Sequence, residues 1–202
     1  MLNNNLDSLK AIVFDFDGTL IESNELKRQI FFDIFDNKFH PKITKTLNEN
    51  KDLSRFELIK KILIKINCKK ISANLDQYTS QYSYNLINQI SVITLDSNLY
   101  KNLEDLKSRY KIFLSSLTYK NDLPIILKNL KLDKYFENVY GYPQKKEVTL
   151  KNIITRLSLS PSEVMVVGDG ESDRISAKIN NCHFFHINDK NNIKLFFKLI
   201  NG

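Results

Sequence analysis

"AIVFDFDGTLIES", residues 11–23, places two aspartates, Asp15 and Asp17, at the end of an apolar run. A short run of aliphatic, β-branched and aromatic residues such as "KAIVFD" (10–15) reads as a buried strand. Charged groups are costly in a sheet core unless something pairs with them or they do chemistry. In an extended strand residues i and i+2 point to the same side, roughly 7 Å apart. The two carboxylates therefore share a face if the strand continues, although Gly18 signals a sharp backbone turn close by. The remaining chain has to supply both the neighbouring strands and the partner for the two acids.

Three further stretches repeat the pattern of an apolar run closing on small or acidic residues. They are "YKIFLSS" (110–116), "EVMVVGD" (163–169) and, more weakly, "HFFHI" (183–187). Helical signals lie between them. "PIILKNLKL" (124–132) begins at a proline suited to a first helical turn. "TLKNIITRLSL" (149–159) sets Leu150, Ile153, Ile154 and Leu157 on one face, and "SDRISAKIN" (172–180) follows a glycine loop. Strand alternating with helix predicts an α/β fold, a parallel sheet with helices on both faces.

Residues from about 24 to 92 break that rhythm. Phe56, Ile59, Leu63 and Ile66 recur at helical spacing in one segment, and Leu75, Tyr78, Tyr82, Leu86 and Ile90 in another. The stripes read as helix-packing cores. The predicted organisation is a core of residues 1–22 and 93–202 with an inserted α-helical block at 23–92, over the sheet edge where the first strand ends.

Composition bounds the functional classes. The chain has 202 residues, 42% of them hydrophobic and 26% charged, which is ordinary for a globular protein. No apolar stretch approaches the roughly 20 residues that a membrane helix needs, and "MLNNNLDSLK" shows no export signal. A cytoplasmic protein without a membrane partner is expected. Cys68 and Cys182 are too far apart for a metal motif and read as reduced thiols. The net charge of +7 is mostly lysine spread along the chain. That pattern reads as a solvated surface able to attract an anionic substrate, and no nucleic-acid partner is expected.

Ligands gather at the carboxyl ends of parallel strands, and the "VVGDGESD" stretch delivers Asp169 and Asp173 there. Several carboxylates converging without a partner repel one another, and a divalent cation such as Mg²⁺ resolves that. Each piece alone has a plain structural reading. Ser115 and Ser116 fit strand-end hydroxyls that cap a helix, and Lys146 fits one more surface lysine. It is their joint order along the chain that points to a site.

"DFDGTL", then "FLSS", then a lysine in "QKKEV", then "GDGESD" resembles the four-motif signature of the haloacid dehalogenase-like hydrolases. The likeness is greatest to the branch with a small helical cap, which includes phosphoglycolate phosphatase-like enzymes and β-phosphoglucomutase. The resemblance implies a Rossmann-like core and a Mg²⁺-dependent phosphatase acting on a small phosphorylated metabolite, such as a sugar phosphate. Carried over, it makes Asp15 the nucleophile and Asp17 the general acid/base. Ser115 becomes the phosphate-binding hydroxyl, with Gly18 and Ser116 beside it through the local backbone amides. Lys146 becomes the lysine of the third motif, and Asp15, Asp17, Asp169 and Asp173 become the metal set. The proline common after that lysine is absent, so Lys145 competes with Lys146, which is favoured because it would open a helix.

Arg55, opening a helix in "LSRFEL", is a candidate substrate contact, with an exposed helix-start arginine as the plainer reading. His183 and His186 fall on opposite sides of a strand, which argues against a zinc pair, and His40 falls in a cap loop. A phosphomutase of the same superfamily, or a binding protein that retains the fold, are the alternative functions.

Overall fold

The computed structural model describes residues 8–51 and 53–201. Five strands form one sheet: β1 Ala11–Phe14, β2 Lys111–Tyr119, β3 Asn138–Tyr142, β4 Val164–Gly168 and β5 His183–His186. The helices in chain order are α1 Asn24–Ile34, α2 His40–Glu49, α3 Arg55–Lys65, α4 Ile71–Ile90, α5 Ser97–Lys107, α6 Leu123–Asn129, α7 Lys146–Leu157, α8 Glu171–Ile179 and α9 Lys190–Asn201. The sheet order is β3-β2-β1-β4-β5, and every pairing is parallel. This is a Rossmann-like α/β fold.

β1 is central and buried along its whole length, which is why its sequence is apolar without alternation. The register aligns Val13 with Phe113 and Val166. These three pack with Ala11 and Val164 against Leu150 and Ile153 of α7 and Ala177 of α8. The opposite face carries Ile12 and Phe14 in register with Ile112, Leu114, Met165 and Val167. Phe14 meets the rings of Phe196 and Phe197 on α9, with centroids 5.6 and 6.4 Å away. Each buried aliphatic or aromatic side chain in these two layers contributes roughly 1.5–3 kcal/mol through removal from water.

The chain divides into two compact units: residues up to Glu22 together with those from Thr94 onward, and Ser23–Ile93. The second unit is helical. Its buried seam on α3 is Leu58, Ile59, Ile62 and Leu63; Phe56 and Ile66, read from the sequence as part of that stripe, are only half-buried. Ser54 and Glu57 form a reciprocal capping box at the start of α3, which satisfies two otherwise orphaned amides. Phe31 on α1 packs on Tyr82 of α4 at 4.8 Å, and the Tyr82 hydroxyl donates to the Lys27 carbonyl at 3.0 Å.

Three readings of the sequence need correction. β3 was not anticipated, because "NVYGY" is a short, half-buried edge strand with a glycine inside it, and such runs carry little periodic signal. β2 continues past Ser116 to Tyr119, since Tyr119 still pairs with Tyr142 after a register shift that begins at Ser115. The serines that looked like a strand end lie inside the strand. His40 opens α2 instead of lying in a loop; Pro41 occupies the first turn, where a missing amide proton costs nothing. No helix among the described residues is long and apolar enough to cross a membrane.

Candidate active site

β1 ends at Phe14, and both acids of the opening motif lie just beyond it. The Asp15 amide still donates to the Val167 carbonyl of β4 at 2.8 Å, so Asp15 sits on the sheet's carboxyl edge. The chain then turns back on itself. Gly18 has φ 78°, a left-handed conformation that glycine adopts without a Cβ penalty. Its amide donates to the Ile21 carbonyl at 2.7 Å, and the Leu20 and Ile21 amides both reach the Phe16 carbonyl. This turn holds Asp15 and Asp17 over the strand ends.

Lys146 is the first residue of α7, and its side chain is buried with an exposure of 5%. Its Nζ donates to Asp15 Oδ1 at 2.6 Å and to Asp173 Oδ1 at 2.8 Å. Lys145 next to it is exposed, so Lys146 is the lysine that faces the acids. Asp173 is in the first turn of α8, where a negative charge complements the helix dipole. A Cβ on Gly168, the last residue of β4, would lie 2.4 Å from Asp173 Cγ. The glycine therefore leaves the space in which the Asp173 carboxylate rests against the strand end.

Oxygens of Asp15, Asp169 and Asp173 all lie within 4.8 Å of one another. Burial pushes the Asp15 carboxyl up to about 6, against the opposing Lys146 ammonium, while the charges of Asp17 and Asp169 add to the rise. Burial likewise lifts Asp173 to about 7, again against Lys146 and with the help of Asp15. Burial works to lower Lys146, but the two carboxylates outweigh it and hold the ammonium above its ordinary range. The negative charges of Asp15, Asp169 and Asp173 are crowded together here. Asp173 Oδ2 is moreover buried without a hydrogen-bond partner, which is costly for a carboxylate oxygen. A hard divalent cation with oxygen ligands would satisfy that atom and balance the charge, so these three residues fit Mg²⁺.

Asp17 was placed in the metal set from the sequence, and its carboxylate stands apart from this cluster. Its Oδ2 accepts from Ser116 Oγ at 3.1 Å and Thr118 Oγ1 at 2.8 Å. Ser115 and Ser116 are both buried on β2. Ser115 opens the register shift, whereas the Ser116 hydroxyl is committed to Asp17. Two residues escaped the sequence reading. The Thr19 hydroxyl lies between Asp15 Oδ2, at 3.4 Å, and Asp169 Oδ1, at 3.3 Å. Thr118 would have been found had β2 been read to its true end, because i and i+2 share a face.

Arg55 is anchored within the helical unit. It is buried, it donates to Ser83 Oγ at 2.7 Å, and it lies over the rings of Phe56 and Tyr82 at 4.9 and 5.4 Å. The exposed helix-start arginine of the plainer reading is therefore not what the fold contains. His183 and His186 bond separately to the carbonyls of Ser162 and Asp169.

A family model for haloacid dehalogenase-like hydrolases matches residues 12–187. The chain is similar to the pyrophosphatase PpaX of Bacillus cereus strain Q1, 24% identical over 178 residues, covering 84% of this chain and 79% of that protein. Among solved structures it resembles a β-phosphoglucomutase from Clostridium difficile, with a TM-score of 0.68 at 22% identity, over 92% of this chain and 87% of that one. It also resembles YfnB of Bacillus subtilis, a structure bound to magnesium, with a TM-score of 0.69 at 14% identity, over 96% and 99%.

Proposed function

The chain belongs to the haloacid dehalogenase-like hydrolase family, and we propose that it is a Mg²⁺-dependent phosphatase that hydrolyses a small phosphorylated metabolite through an aspartyl phosphate on Asp15. The observation that most supports this is the buried Lys146, held 2.6 Å from Asp15 and 2.8 Å from Asp173, with Asp169 in the same cluster. A buried cation among three acids at strand ends suits an anionic substrate better than it suits a packing role.

A divalent cation held by Asp15, Asp169 and Asp173 would supply the positive charge that lets an anionic phosphate approach a carboxylate. The Lys146 ammonium orients Asp15 and adds to that charge. Asp15 attacks phosphorus in line, and the bond from phosphorus to the leaving-group oxygen breaks. Asp17 gives its proton to the departing alkoxide. Ser115 and the backbone amides at Gly18 and Ser116 bind the peripheral oxygens. Water then attacks the aspartyl phosphate and gives a proton to Asp17; phosphate leaves and the Asp15 carboxylate is restored. We assign selection of the leaving group to the helical unit Ser23–Ile93, read as a cap, and retain the cytoplasm as the proposed compartment.

A screen of phosphate esters with Mg²⁺, run beside Asp15→Asn, tests this reading. Wild-type protein is expected to release phosphate from at least one small ester. The variant is expected to lose roughly four or more orders of magnitude in kcat, the scale on which covalent nucleophiles act. Equal turnover by both proteins refutes the role of Asp15. A hexose phosphate that isomerises without releasing phosphate refutes hydrolysis in favour of a mutase.

A further inference from the structure

Resting on the phosphatase reading, we propose that Ser116 and Thr118 form a two-hydroxyl clamp that fixes the orientation of Asp17, with Thr118 acting as a positioning residue for proton transfer to the leaving group. Asp17, Ser116 and Thr118 are all buried, and three hydrogen bonds link them. The Thr118 amide can only donate, and it donates to Ser116 Oγ at 3.0 Å. The Ser116 hydroxyl proton is then directed to Asp17 Oδ2 at 3.1 Å. The Thr118 hydroxyl donates to the same oxygen at 2.8 Å. Two hydroxyl donors thus converge on Asp17 Oδ2.

The clamp is mounted on β2, whose alternation brings residues 116 and 118 to one side. The β2–β3 register shifts between Ser115 and Tyr119, across this same stretch. Irregularities of this kind re-aim side chains beside functional sites. The clamp prevents the carboxylate from rotating about its terminal torsion, which would exchange Oδ1 for Oδ2 at the leaving group. Sites held by rigid elements keep this kind of precision.

The distinguishing readout is the dependence on leaving group. The second-order constant kcat/KM covers the steps up to cleavage of the substrate ester. An alkyl leaving group needs a proton at that step, whereas a nitrophenolate leaves without one. General acid help is worth about 10²–10⁴-fold, so partial loss of aim is expected to cost roughly 10- to 100-fold. Thr118→Val is therefore expected to lower kcat/KM for glycerol phosphate by about that factor and for p-nitrophenyl phosphate by less than about 3-fold. Thr118→Ser, which keeps the hydroxyl, restores the alkyl ester. Ser116→Ala, a smaller change, produces the same split if the valine variant folds poorly.

Equal losses on both esters, or no loss on either, overturn the clamp while wild-type turnover leaves the phosphatase reading standing. Failure of the wild-type protein to release phosphate from any ester of the screen overturns both.

Discussion

Replacing Lys146 by Met keeps the length of the side chain and deletes its charge. In the native protein the ammonium is buried and bonded to Asp15 and Asp173 at 2.6 and 2.8 Å. Removing one partner from a buried ionic group leaves the others uncompensated, at a cost of about 3–5 kcal/mol. That is a large share of a typical stability of roughly 5–15 kcal/mol. The cost depends on pH, and its sign follows from the carboxyl groups. Asp15 is already raised from 3.8 to about 6, and Asp173 from 3.8 to about 7, even with Lys146 opposing both shifts. An acid with a raised folded-state value binds protons more tightly when folded. Its stability contribution is therefore intact below the unfolded value and lost as pH rises through the folded one. Without Lys146 both values move further up. Urea unfolding in the presence of a chelator should then show the full loss at about pH 8 and a much smaller one at about pH 5. Millimolar Mg²⁺ should recover part of the loss at the higher pH by restoring positive charge between the acids. A variant within about 0.5 kcal/mol of wild type at both pH values would refute the claim that this ammonium holds the cluster together.

Two further outcomes follow from the same cluster. Mg²⁺ binding requires ionised ligands, and Asp15 at about 6 and Asp173 at about 7 retain protons near neutrality. Calorimetry should therefore find affinity rising between about pH 5.5 and about pH 7.5 with protons released on binding, and a flat profile would count against these ligands. Gly168→Ala should weaken Mg²⁺ binding at least 10-fold, because the new methyl group would lie where the Asp173 carboxyl now sits, 2.4 Å from its Cγ. Unchanged Mg²⁺ affinity in this variant would show that Asp173 is not held by that space.

Much of the core was readable in advance because its signals are local. β1 and β4 are short apolar runs followed at once by acids, α7 shows helical periodicity ahead of β4, and α8 starts from a glycine directly after it. Edge strand β3 was not readable, since half-burial leaves a sequence without a strong pattern. The length of β2 was missed for a related reason. Its serines and threonine are polar, yet they belong inside the strand because Asp17 receives the hydroxyls of Ser116 and Thr118 across a distance of about a hundred residues in sequence. Local propensity carries no information about such a partner.

From the sequence alone one can derive an alternating α/β chain with acids at the ends of its strands, because burial and period are written residue by residue. Only the tertiary structure decided how those acids divide. Asp15 and Asp173 share the ammonium of Lys146, Asp169 joins them in the cluster, and Asp17 turns to the hydroxyls of β2. The physical reason is that electrostatic partnership depends on distances of about 3 Å, and those distances are set by the sheet order and by the turn at Gly18.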